Sequence, residues 1–166
     1  MAGRSGIRFA QVRQGNFEFG FHIRKIRLTG GEPLVRKGLE GLVSRIASIP
    51  EIEDITLTTN GLLLPARVQT LKEAGVNRVN ISLDTLRADR YRELTRGGEL
   101  SSAWKGIQSA LEAGLHPVKL NTVVIRDFND DEVVTMARLT LNRPLHIRFI
   151  ELMPIGSSIT WSEGRF

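Results

Sequence analysis

Polar and apolar residues alternate one by one along five short stretches of this chain, and a period of two limits each stretch to a strand with unlike faces. The stretches are Lys25–Thr29, Ile55–Thr58, Arg78–Leu83, Val118–Val124 and His146–Glu151, each bounded by Gly, Pro or Asn. They recur about every 25–40 residues, the span of a βα repeat. Helical periodicity fills the gaps. Leu39, Leu42, Val43 and Ile46 mark a first helix, Val68, Leu71 and Lys72 a second, and Tyr91 and Leu94 a weaker third. Ala103, Ile107, Ala110 and Leu111 define a fourth, and Val133, Val134, Ala137 and Leu141 a fifth. Gly75 and Gly114 stand where a helix-terminating glycine belongs; Ser101 or Ser102 is expected to cap the fourth helix, and Asn129 or Asp130 the fifth. Such a series builds a parallel sheet, either a barrel or an open doubly wound sheet.

The alternation is unusual for that architecture. Parallel strands covered on both faces read as continuous Val/Ile/Leu runs. Here Ile26 and Leu28 alternate with Lys25, Arg27 and Thr29, and Val79, Ile81 and Leu83 with Asn80, Ser82 and Asp84. Side by side, the polar faces make one surface bearing Arg27, Thr58, Asn80, Ser82, Asp84, Lys119, Asn121 and Arg148. Several cations cannot be packed into a dry core cheaply, so that surface is expected to be wet or filled by a ligand. Three cations among neutral donors suit phosphate or carboxylate groups. Turn residues cluster at the C-terminal ends of four of the strands, where α/β proteins place their sites: Gly30-Gly31-Glu32-Pro33, Thr59-Asn60-Gly61, Asp84, and Leu152-Met153-Pro154. Asp84 and Glu151 are candidate acid/base groups without a distinguishing spacing. His22, His116 and His146 lack metal-site spacing.

Composition removes several classes of function. The chain of 166 residues is 41% hydrophobic and 25% charged, ordinary for one globular domain. It contains no cysteine, which excludes disulfides, thiol nucleophiles and thiolate metal or iron–sulfur ligation by its own residues. No apolar run approaches the ~18–20 residues of a membrane span, and no secretory signal is apparent, so cytoplasm is expected. The net charge of +5 is dispersed rather than gathered in a tract, so no nucleic-acid partner is expected.

Five segments in this order and spacing carry a resemblance: Ile26-Arg27-Leu28-Thr29-Gly30-Gly31-Glu32-Pro33-Leu34, Leu57-Thr58-Thr59-Asn60-Gly61, Val79-Asn80-Ile81-Ser82-Leu83-Asp84-Thr85, Val118-Lys119-Leu120-Asn121-Thr122-Val123 and Ile147-Arg148-Phe149-Ile150-Glu151-Leu152-Met153-Pro154. Together they resemble the GTP 3′,8-cyclases, the radical S-adenosylmethionine (SAM) enzymes that begin molybdenum cofactor biosynthesis. The Gly-Gly-Glu-Pro segment alone points only to the radical SAM superfamily. The resemblance implies an α/β fold, a partial TIM-like (βα) barrel of about five parallel βα units. It implies SAM contacts at Gly31, Ser82 and Met153, with Glu32 and Asn121 as supporting residues, and GTP contacts at Arg27, Thr58 and Lys119. Arg148 is a phosphate or substrate candidate from the alternation itself.

The resemblance further implies SAM and four-iron four-sulfur clusters as cofactors, GTP as substrate, a lyase reaction and a homodimer for the intact enzyme. The family's cluster-binding cysteines are expected upstream of the first strand and beyond Phe166. The chain is therefore expected to be a central piece: residues 1–22 a loose segment, 23–156 the barrel core, and 157–166 the start of a tail. On its own it is expected to be inactive. The alternatives are a non-catalytic GTP- or anion-binding module and a piece of another radical SAM enzyme.

Overall fold

A computed structural model describes residues 23–152; Met153 and the segments 1–22 and 157–166 lie outside the described residues. The strands are β1 (Lys25–Leu28), β2 (Asp54–Thr59), β3 (Arg78–Ser82), β4 (Val118–Val124) and β5 (Leu145–Glu151). Between them lie α1 (Leu39–Ala47), α2 (Leu64–Ala74), α3 (Ala88–Leu94), α4 (Leu100–Glu112) and α5 (Val133–Arg138). Short 3-10 turns at Pro33–Val35 and Asp130–Glu132 precede α1 and α5.

All neighbouring strands pair in parallel, in the spatial order β1-β2-β3-β4-β5. That order decides between the two architectures left open by sequence. Right-handed crossovers that always step the same way put every helix on one side of the sheet. The helices pack along that side, α1 on α2, α2 on α4 and α3 on α4. A doubly wound sheet would reverse direction. This one is the wall of a barrel.

The helix-facing side carries the apolar half of each alternation. Ile55, Leu57, Val79, Ile81, Leu83, Val118 and Leu120 are buried there against Leu39, Val43, Leu64, Leu71, Ala103, Ile107 and Ala110. Each fully buried aliphatic side chain contributes about 1.5–3 kcal/mol, so this layer holds the fold. Two glycines set its spacing. Gly75 ends α2 at φ +116°, donating to the carbonyls of Leu71 and Lys72, and a Cβ there would lie 2.6 Å from that of Ala47. Gly106, on the buried face of α4, lies so close to the Gly61 carbonyl that any side chain would displace the turn after β2.

Three expectations need correction. Ser101 and Ser102 lie inside α4, which starts after an extended Glu99 with no side-chain cap. Asn129 does open the helical segment before α5, but its side chain does not cap it; that amide serves the strand ends. On α5, Val134 is 62% exposed and Leu141, just beyond, 77% exposed, while Met136 is fully buried. The reason is Glu132, whose carboxylate is held by Thr85 and Arg90 from across the fold. Met136 follows it by four residues on the same helical face, so that anchor turns Met136 inward and the predicted stripe outward.

Candidate functional site

The opposite face of the sheet is polar, as the alternation requires. Parallel pairing sets its side chains in rows. Arg27 pairs in register with Thr56, and Thr56 with Arg78; Thr58 pairs with Asn80, Asn80 with Lys119, and Lys119 with His146; Ser82 pairs with Asn121, and Asn121 with Arg148. A cavity of about 230 Å³ opens on this face, lined by Lys25, Ile26, Arg27, Asp54, Thr56, Arg78, Asn80, Lys119 and Arg148. It holds five cations and one carboxylate. Arg78 forms a two-point ion pair with Asp54. Lys25, Arg27, Lys119 and Arg148 have no carboxylate partner among the described residues.

Lys119 shows what that arrangement costs. Burial, and then the positive charges of Arg148, Arg78, Arg27 and Lys25, lower its pKa below the ordinary lysine value. Cations gathered in a concave, partly covered surface raise the local positive potential. The predicted residues Arg27, Lys119 and Arg148 thus share one cavity. Thr58, also predicted, does not line it; its hydroxyl accepts a 3.2 Å hydrogen bond from Nδ2 of Asn80, which does. Lys25, placed on the polar side of the first strand but not among the predicted site residues, and Arg78, not predicted at all, join the cavity lining; both have the parity of the polar face.

Above the cavity, at the C-terminal ends of the strands, the chemistry changes. Gly31 lies in the turn after β1, and a Cβ there would meet nothing within 4 Å. Packing within the protein therefore does not call for glycine at this position; the side it leaves bare faces open space. Glu32 closes the turn. Its Oε1 accepts from the Leu34 amide at 3.0 Å and the Thr59 hydroxyl at 2.7 Å, and its Oε2 accepts from the Asn60 amide at 2.8 Å. These three bonds tie the end of β1 to the end of β2 and make Glu32 a brace for the Gly31 turn. Ser82 is exposed at the end of β3. Between Ser82 and Arg148, Asn121 Oδ1 is buried without a hydrogen-bond donor. A buried acceptor left unpaired is costly, so it suits a donor brought by a ligand.

A second brace joins the ends of β3 and β4. Asp84 Oδ1 accepts from the Val123 amide at 2.7 Å, while Asn129 Nδ2 donates to the Asp84 and Val123 carbonyls at 2.6 and 2.8 Å. Burial raises the Asp84 pKa, and the Val123 bond opposes that only in part. Farther out, Glu132 takes the Thr85 hydroxyl, the Leu86 amide and Arg90, which also grips Asp131. These contacts join residues more than 40 positions apart, and no local pattern announces them.

Among the described residues no cluster of His, Asp and Glu could hold a metal ion, and no helix is long and apolar enough to cross a membrane. The fold and site define a class: a one-directional parallel βα-barrel wall with a cation-lined interior and a glycine turn at its C-terminal rim. The description of the Radical SAM superfamily matches residues 9–140, and the chain belongs to that superfamily. It is 76% identical over 144 residues to a GTP 3′,8-cyclase of Pelotomaculum thermopropionicum, covering 87% of this chain and 44% of that protein. A GTP 3′,8-cyclase of Moorella thermoacetica is 62% identical over 139 residues, covering 84% of this chain and 43% of the relative. The chain thus spans a little under half the length of these relatives. Among solved structures, methylornithine synthase (PylB) superposes on 81% of this chain and 41% of its own with a TM-score of 0.64 at 20% identity, a likeness of fold.

Proposed function

We propose that this chain forms the GTP- and SAM-holding part of a GTP 3′,8-cyclase, the lyase that converts GTP to (8S)-3′,8-cyclo-7,8-dihydro-GTP in molybdenum cofactor biosynthesis. The cation cavity carries the proposal. Five cations against one carboxylate leave an excess of four positive charges, close to the charge of about −4 on a nucleoside triphosphate near neutral pH. Arg27, Lys119 and Arg148 bind its phosphates, and Thr58, held by Asn80, orients the nucleotide above them. Binding also relieves the like-charge crowding that depresses Lys119.

The rim suits SAM. Gly31 presents bare backbone, Glu32 fixes that turn, and Ser82 and Asn121, paired in register where β3 ends, offer polar groups. Met153, the third predicted SAM contact, comes two residues after the end of β5 in sequence. SAM supplies the radical that the family's reaction needs. The iron–sulfur cluster that reduces SAM does not fit these residues, because the chain has no cysteine to ligate it. What these side chains do is bind, orient and shield. The chain alone therefore binds both small molecules without cleaving SAM. A cytoplasmic homodimer is the assembly proposed for the intact enzyme.

Calorimetric titration of the purified chain with GTP, with SAM, and with each in the presence of the other tests this reading. Both ligands are expected to bind, and neither to displace the other. Failure to bind GTP, or displacement of GTP by SAM, would contradict it.

A further inference from the structure

Lys119 offers an amine as well as a charge, and its surroundings favour the amine. Lys37 and Lys105 stand exposed outside the cavity, and Lys72 is engaged, its Nζ donating to the Ala113 carbonyl. Lys25 lines the cavity but stands exposed on β1, an edge strand. Lys119 is half-buried on β4, with a strand on either side. In register it lies between Asn80 and His146, with Arg78 two residues back on β3 and Arg148 two residues on along β5. At strand spacing each arginine starts roughly 8 Å from Lys119, within reach of its side chain. The one carboxylate of the lining, Asp54, pairs with Arg78 and not with Lys119. Burial and the neighbouring cations both favour the neutral amine, the form that attacks a carbonyl carbon.

The same cations capture any reagent that carries a phosphate. Resting on the anion-site reading above, we propose that Lys119 is a modification site for acyl phosphates, molecules in which a phosphate is joined to an acyl group. Arg148 holds the phosphate while the Lys119 amine attacks the acyl carbon beside it. The carbon–oxygen bond to phosphate breaks and an amide forms. Inorganic phosphate leaves with the electron pair, the amine's proton passes to water, and nothing is oxidised or reduced. Arg148 also stabilises the charge growing on the leaving oxygen. The bound dianion draws the lysine partway back toward its ammonium form. Holding the two reactants together more than compensates, because effective concentrations in oriented pairs far exceed those in solution. The amide is uncharged, so acylation removes one of the cations that the nucleotide uses and shuts the site.

Site-resolved mass spectrometry tests this on the purified chain treated with acetyl phosphate and, separately, with the uncharged reagent N-hydroxysuccinimidyl acetate. With acetyl phosphate, Lys119 should be acetylated about tenfold faster than Lys37 and Lys105, and faster than Lys25. Saturating inorganic pyrophosphate should bring it down to the level of Lys37 and Lys105. Arg148→Gln should slow Lys119 about tenfold toward acetyl phosphate but less than about threefold toward the uncharged reagent. The second reagent thus separates capture of the phosphate from a disturbed fold. Equal rates at Lys119, Lys37 and Lys105, a preference for Lys25, a preference that survives pyrophosphate, or equal slowing toward both reagents would overturn the inference. Calorimetry with pyrophosphate tells its failure from that of the anion-site reading. Pyrophosphate binding without selective acetylation sinks this inference alone; no pyrophosphate binding sinks both.

Discussion

The two faces of the sheet are built from alternate residues of the same five strands, yet they obey different rules. On the helix side, Leu57 and Ile81 are sealed in close packing. One residue along, Thr58 and Ser82 lie partly or fully open, and among the described residues that side keeps four cations without carboxylate partners and an amide oxygen without a donor. Stability comes from the face where packing is complete. The proposed binding falls on the face where pairing is left incomplete, because a group already satisfied has nothing to offer a ligand. The helix layer can thus support a lumen that would be unstable by itself.

The largest effects should fall on the covered face. Leu57→Ala should lower unfolding free energy by about 2–5 kcal/mol in urea titrations, from lost burial and the cavity left behind. Gly106→Ala should cost about 1–3 kcal/mol, since the new methyl meets the Gly61 carbonyl and one of two backbones must move. Glu32→Ala belongs to neither face; it unties the ends of β1 and β2 and should cost about 1–3 kcal/mol, with Glu32→Gln recovering part of it. Thr58→Ala, beside Leu57, should change stability by no more than about 1 kcal/mol while weakening GTP binding. A Thr58 variant as unstable as the Leu57 one would erase the distinction between the faces.

The smallest effect is a pH dependence. Burial raises the native pKa of Asp84 above its unfolded value, so the folded state holds that proton more tightly. Its contribution is fully present below the ordinary carboxylate pKa and is lost as pH rises through the higher native value. Asp84→Asn keeps an acceptor for the Val123 amide but does not titrate. The variant should gain on the parent in urea midpoint as pH rises across that window, and a difference running the other way would contradict the assignment.

Much of this was legible from spacing alone. A strict period of two placed all five strands and told which residues share the polar face, because parity survives small errors of boundary. The same parity would have added Lys25 and Arg78 to the cavity had it been carried to the strand starts. What stayed hidden depends on distant partners. The orientation of α5 is set by Glu132 meeting Thr85, 47 positions away, and outweighs the apolar stripe of Val134, Ala137 and Leu141. The amide of Asn129 goes to two strand carbonyls rather than to a helix cap. The need for glycine at position 106 arises only where α4 lies against the Gly61 turn. Pairing between Asp54 and Arg78 likewise needed the register of β2 and β3.

The central claim is that the polar face is kept for a ligand at some cost to the protein. Lys119→Ala tests it most directly, with GTP affinity and urea midpoint measured on the same preparation. Removing one crowded cation should weaken GTP about tenfold or more while leaving the midpoint unchanged or slightly raised. Unchanged GTP affinity, or a midpoint that falls as it does for a residue of the packed face, would contradict the account.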